Sequence, residues 1–216
     1  MELSYGGFLH LRKTIRRVHP FSSGGFVEAP STGKPLRADA RRNYERIMAT
    51  AQAAFAELGP DVALEEIARR AGVGIGTLYR HFPNREVLIE AVYRSNIEQL
   101  SEHARELLET HTPATAYEFW LRDYVAWVIA NRVLATTLKA GMDRNSPTFA
   151  LCRASITDAT SLLLTAAQNA GAVRPDIEPS DLMRFGHGIG VACETVPEAA
   201  ERMIDVTLAG LRAESA

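Results

Sequence analysis

The sequence predicts an all-α protein of about nine helices. Three observations carry that expectation. No segment of the 216 residues alternates apolar and polar side chains for long enough to make a convincing strand. Apolar residues return at helical spacing from Ile47 almost to the C-terminus. Glycine and proline punctuate those runs, at Gly59-Pro60, Gly72, Pro83, Pro113, Pro147, Gly171 and Pro197.

Hydrophobic residues make up 46% of the chain, enough for a sizeable core, and the length suits two modules. No run of apolar residues is long enough to predict a membrane span, and MELSYGGFLHLRKTIRR lacks the order of a signal peptide. Cys152 and Cys193 are too few for a disulfide framework, so a reducing cytoplasm is the expected compartment. The net charge of −2 is unevenly spread. Residues 1–36 hold five basic and two acidic side chains, residues 37–100 nine of each, and residues 101–216 ten basic and fifteen acidic. The N-terminal half is therefore the less acidic one.

Residues 1–36, with SSGGFVEAPSTGKP and the basic LHLRKTIRRVH, read as a disordered basic leader; an arm touching DNA is the sharper alternative. The first helix runs from about Arg37 to Leu58, with Ile47, Ala51, Ala54, Phe55 and Leu58 on one stripe. Residues 63–82, ALEEIARRAGVGIGTLYRHF, then read as two short helices around a tight turn. Leu64, Ile67, Ala68 and Ala71 line one face of the first, Gly72 ends it, and Val73 plugs the angle. Ala63 stands at its N-cap without a hydroxyl, and Glu66 retains half of a capping box. In the second helix Leu78 and Phe82 point inward, leaving Thr77, Tyr79, Arg80 and His81 outside. A helix burying so little makes sense laid against something else, and a DNA major groove admits a helix.

Asn84 caps a long helix to about Glu109. A helix over 114–132 places Tyr117, Trp120, Tyr124 and Trp127 on one face, and a shorter piece over 133–142 follows. Another helix spans 147–170. Ser180 or Asp181 caps the next, LMRFGHGIGVACE, and the last ends near Arg212.

The AGVGIGTLYRHF core, with RRNYERIMATAQAAFAELG before it and FPNREVLIEAVYRSNIEQL after it, resembles the helix-turn-helix head of the TetR family of bacterial transcriptional regulators. The resemblance implies a DNA-binding domain over 37–100 and a helical effector-binding and dimerisation domain over 101–216. It implies that Gly76 and Thr77 approach bases or backbone, that Tyr79 and His81 hold phosphates, and that Arg85 adds a charge contact. Arg80 reads a guanine or binds phosphate, and Arg41 and Arg42 flank the reading helix. Ile75 departs from the polar residue common in the family and could touch a thymine methyl. Packing of Tyr79 and capping by His81 remain the structural alternatives.

Two heads about 34–36 Å apart fit successive major grooves, so a homodimer on palindromic half-sites of duplex DNA is expected. The resemblance places its interface on the last two helices, with Phe185, Gly186, Ile189, Gly190, Met203, Ile204 and Leu208 as candidates. The alternative is that the glycines serve packing within one subunit. It also implies an unknown small-molecule effector, with Trp120, Tyr124, Trp127, Phe149, Cys152, Phe185 and His187 as candidate pocket residues; ordinary core is the other reading of those aromatics. Release from the operator by the effector is the expected mechanism; a dimer without effector, or an activator, are the alternatives. The residues suggest no catalytic set, no cofactor and no metal site.

Overall fold

Eight helices make up the residues described by this computed structural model, 34–141 and 147–213. They are α1 Lys34–Leu58, α2 Leu64–Ala71, α3 Ile75–His81, α4 Arg85–Thr110, α5 Pro113–Gly141, α6 Pro147–Asn169, α7 Pro179–Ala192 and α8 Glu198–Leu211. The only β pairing among them is an isolated antiparallel bridge, Val173 to Arg212.

Several local expectations shift. The leader's residues 1–33 lie outside the described residues, and α1 takes in residues 34–36. Pro35 is tolerated there because first-turn N–H groups need no helical partner. The two pieces expected over 114–142 are one helix to Gly141, with Met142 outside the described residues. No glycine or proline interrupts it, and the Asn131 side chain donates to Trp127 O, one turn back (2.9 Å). Helix α7 begins after Glu178, whose N–H donates to the Asp181 carboxylate (3.2 Å), rather than at Ser180 or Asp181. Ala63 caps α2 with no side-chain bond, as read. Glu66 does not turn back to it. Its carboxylate accepts from Arg69 and Arg70, which hold it down to about 2.

Three cores follow the apolar stripes. The first joins Ile47 and Phe55 of α1, Ile67 of α2, Leu78 of α3, Phe82 just after it and Leu88 of α4, and reaches Leu134 and Leu138 near the end of α5. The second joins α4, α5 and α6 through Leu100, Ala104, Trp120, Ile156 and Leu163. The third packs α5 and α6 against α7 and α8 through Leu121, Val125, Leu164, Leu182, Ile189 and Ile204. Close approach of α7 to α5 needs two glycines. A Cβ on Gly186 would lie 2.5 Å from Tyr124 Cδ1, and one on Gly190 2.5 Å from Val128 Cγ1.

Polar links bind α4 to its neighbours. Gln52 Nε2 donates to Asn96 Oδ1 (2.8 Å), and Asn96 Nδ2 donates to Asn131 Oδ1 (2.9 Å). With the Asn131 bond to Trp127 O, this makes an amide relay from α1 across α4 to α5. Thr148 of α6 donates to Glu90. His103 Nε2 lies 2.9 Å from the buried Asp123 carboxylate of α5 and Nδ1 3.5 Å from Glu106. Burial pushes the His103 pKa down, but the Asp123 hydrogen bond and charge, with Glu106 behind, leave it above its ordinary value.

Two measurements check this packing. Gly190→Ala should cost about 1–3 kcal/mol in denaturant unfolding, because Val128 is branched and cannot swing aside; Gly76→Ala, whose Cβ would meet nothing within 4 Å, should be neutral or raise stability by up to about 1 kcal/mol. A raised folded pKa makes the stability of the His103 pair complete below the unfolded value near about pH 6.5 and lost as pH rises through the folded value. The stability gap between wild type and His103→Asn should therefore be wider at pH 5.5 than at pH 8.5.

Candidate nucleic-acid interface

The sequence puts only one fully buried side chain, Leu78, into the seven residues of α3. Gly72 takes the left-handed conformation, φ 62°, that lets the chain reverse between α2 and α3. Arg46 of α1 donates to its carbonyl (3.0 Å) and fixes the turn from outside. Phe82 follows α3 into the head core, stacked on Tyr44 of α1 with ring centroids 5.4 Å apart. The His81 ring meets Tyr44 edge-on at 5.9 Å. Half-buried His81 is thus held by α1, while Thr77 is half-buried and Ile75, Gly76, Tyr79 and Arg80 are exposed.

The arginines around this surface differ in what they are free to do. Arg41 pairs with Glu45 (3.4 Å) and Arg42 with Asp39, both pairs exposed. Arg69 and Arg70 are engaged by Glu66, and Arg70 also by Glu57 (2.6 Å). Arg80 makes no ion pair among the described residues. Arg85 is half-buried, and its Nη1 donates to Pro60 O and Val62 O, each at 2.6 Å. That places Arg85 as a clasp between the start of α4 and the loop before α2. Neither Arg46 nor the clasp carries a sequence signal, because both act on backbone carbonyls more than twenty residues away. The cap of α4 is as read: Asn84 Oδ1 accepts from Val87 N (2.9 Å).

In the second module the candidate pocket residues are partly brought together. Trp120 stacks on Tyr124 (5.3 Å between centroids), Tyr124 on Trp127 (6.4 Å), and Tyr93 bridges Trp127 (5.7 Å) to Phe149 (6.3 Å). Cys152 is buried beside them, and burial pushes Tyr124 and Tyr93 up to about 12. Phe185 and His187 stand exposed on α7, outside this stack. A groove of about 650 Å³ opens across α5 from the stack, between the C-terminal half of α4, residues 119–129 of α5 and the first half of α8. Residues far apart in sequence build it, so no local pattern announces it. Among the seven candidate interface residues, Gly186, Ile189, Gly190, Ile204 and Leu208 are buried within the subunit, while Phe185 and Met203 are exposed at 43% and 41%.

The described residues bring no three His, Cys, Asp or Glu side chains close enough to hold a metal ion, and none of their helices is long and apolar enough to cross a membrane. Residues 47–92 match the family of bacterial regulatory proteins described as the tetR family, and residues 112–213 match the C-terminal domain of SbtR-like transcriptional regulators. The crystal structure of a TetR transcriptional regulator from Streptomyces coelicolor is 38% identical, with a TM-score of 0.70 over 79% of this chain and 99% of that one. A TetR transcription regulatory protein from Mycobacterium vanbaalenii is 36% identical, with a TM-score of 0.69 over 83% of this chain and 100% of its own. An HTH-type transcriptional regulator of Staphylococcus aureus (strain USA300) is 28% identical over 111 residues, half of this chain; the chain spans 60% of the length of the curated relatives it matches. With a helix-turn-helix head at Leu64–His81 and a helical module matched to its C-terminal domain, this chain belongs to the TetR family of bacterial transcriptional regulators.

Proposed function

We propose that the protein is a dimeric repressor that grips duplex DNA through α3 and releases it when a small molecule enters the C-terminal module. The observation that carries the reading is the exposed set Ile75, Gly76, Tyr79 and Arg80 on a helix with one buried side chain. Gly76 sharpens it. A glycine inside a helix costs about 1 kcal/mol relative to alanine, and no neighbour among the described residues requires it. Close approach of an external backbone gives it a reason. Tyr79 and His81 donate to phosphates, Thr77 and Ile75 face base edges, and Arg80 supplies a cation not spent within the head. Arg41 and Arg42 can exchange their exposed carboxylates for phosphate at small cost, since such pairs are worth about 0–1 kcal/mol. Arg85 contributes chiefly by holding the start of α4, whose N-terminus favours a nearby phosphate.

One head covers too little DNA, so two are joined. The five buried interface candidates serve their own subunit. The interface is therefore assigned to the face they leave outside: Phe185, Gly188 and Ala192 on α7, and Met203, Val206 and Gly210 on α8, all exposed. Val206 is 73% exposed, and the i, i+3, i+7 spacing on α8 makes one continuous strip.

The effector is placed in the groove rather than among the ring stack, whose aromatic faces already contact one another. Both long walls of the groove run back to the head. Helix α4 starts at the Arg85 clasp, and α5 ends with Leu134 and Leu138 in the head core. Spreading those walls moves α3 relative to its twin. Tenfold loss of operator affinity needs only about 1.4 kcal/mol of differential binding.

Four variants test this reading. Tyr79→Ala and Arg80→Ala should each weaken operator binding by roughly tenfold, with unfolding midpoints unchanged, and Arg80→Ala should lower the salt slope by about 1 if it holds a phosphate. Val206→Glu should sediment as a monomer and lose operator affinity. Asn96→Ala should still bind operator but lose most of the effector response, because it breaks the relay between α1 and α5. Operator affinity unaffected by Tyr79→Ala and Arg80→Ala would reject the proposed DNA surface.

A further inference from the structure

The groove across α5 is one-sided in charge. Its volume of about 650 Å³ falls within the roughly 300–1,000 Å³ of small-molecule sites. Leu107, Val125, Ala126, Ile129, Ala200 and Ile204 give it an apolar floor. Four carboxylates, Glu106, Glu109, Asp123 and Glu201, stand around it against one guanidinium, Arg122, and the imidazoles of His103 and His111. Arg122 is not available to an anionic guest. It donates to Glu118 (3.0 Å), Glu201 (2.5 Å) and Asp205 (2.6 Å). His103 is turned onto Asp123, and His111 Nδ1 lies 2.8 Å from Thr110 Oγ1.

Two features concentrate the negative potential at one end. Helix α4 terminates there with no basic residue in its last turn, so Glu106 and Glu109 sit at the negative pole of its dipole, where a carboxylate is disfavoured. Glu109 has no ion pair among the described residues. Phe119, 41% exposed, packs edge-on against His111 at 5.3 Å and offers an aromatic face beside them.

We propose that this groove binds a small amphipathic organic cation, with its apolar or aromatic body on the floor and a protonated or quaternary amine against Glu106, Glu109 and the Phe119 ring. The assignment rests on the reading of the groove as the effector site; its charge preference comes from the groove itself. An anion would meet Glu109 and the end of α4, while Arg122 and His103 are already turned onto Glu201, Asp123 and Glu106. A neutral guest would leave Glu109 and the end of α4 uncompensated.

Calorimetric titration of the full chain with three probes sharing one body tests this: 4-phenylbutylamine, 4-phenyl-1-butanol and 4-phenylbutanoate. The amine should bind about tenfold tighter than the alcohol, and the carboxylate should give no measurable heat. The double variant Glu106→Gln, Glu109→Gln, both exposed, should lose about fivefold of the amine affinity and leave the alcohol unchanged. Equal binding of amine and alcohol, preference for the carboxylate, an unaffected double variant, or no heat from any probe would each overturn the proposal. Operator binding measured with saturating amine separates the two readings. If the amine binds with the stated charge order and operator affinity is unchanged, the cation site stands and the effector reading falls. If a neutral or anionic compound occupies the groove and releases the operator, the effector reading stands and the cation assignment falls.

Discussion

Leu78 is the one side chain that α3 gives to the core, and the position of the whole helix depends on that contact and a few from outside it. Burying a leucine contributes about 1.5–3 kcal/mol, too little to hold seven residues against solvent alone. The rest comes from neighbours: Tyr44 against Phe82 and His81, Arg46 on the Gly72 carbonyl, and the Arg85 clasp on Pro60 and Val62. The first two lie at the ends of α3, and the clasp ties the start of α4 to the loop before α2. The outer face is left clear, with Tyr79 and Arg80 standing off a scaffold that does not need them. That division of labour separates what folds the head from what the head can grip.

The same economy explains the long helices. A three-helix head with a small core is steadied by two elements that it shares with the second module. Helix α4 brings Leu88 and Val92 to the head core and Leu100, Ala104 and Leu107 to the second. Helix α5 brings Trp120 to the aromatic stack and Leu134 and Leu138 back to the head. The Gln52–Asn96–Asn131 relay crosses between them with its amides paired, and paired amides at partly buried sites define register because an unpaired one is costly. No loop intervenes between the groove and the head along either helix. The two long helices that wall the groove are packed elements whose far ends touch the reading head.

Much of this was legible in the residues. Helical spacing, the glycine at the α2–α3 turn and the inward pair Leu78 and Phe82 determine the head almost by themselves, because those interactions are local or periodic. Asn84 was readable as a cap for the same reason. What escaped was non-local. The sequence around Arg132 suggested a break in α5 that the unbroken packing of Leu134 and Leu138 removes. Gly186 and Gly190 announce a close approach but not which helix approaches; Tyr124 and Val128 of the same subunit occupy that place. Arg85 looks like a surface cation until its partners, two carbonyls of a distant loop, are known. The groove has no sequence signature, since its walls come from three separate helices.

The central claim is that the clear face of α3, presented twice by a two-fold dimer, lies in successive major grooves. Hydroxyl-radical footprinting on the operator of this protein tests it most directly. The account predicts two protected patches on one face of the duplex, centred about one helical turn apart and related by a palindrome. A single continuous patch, protection on opposite faces, or no protection at protein concentrations that saturate the DNA would contradict it.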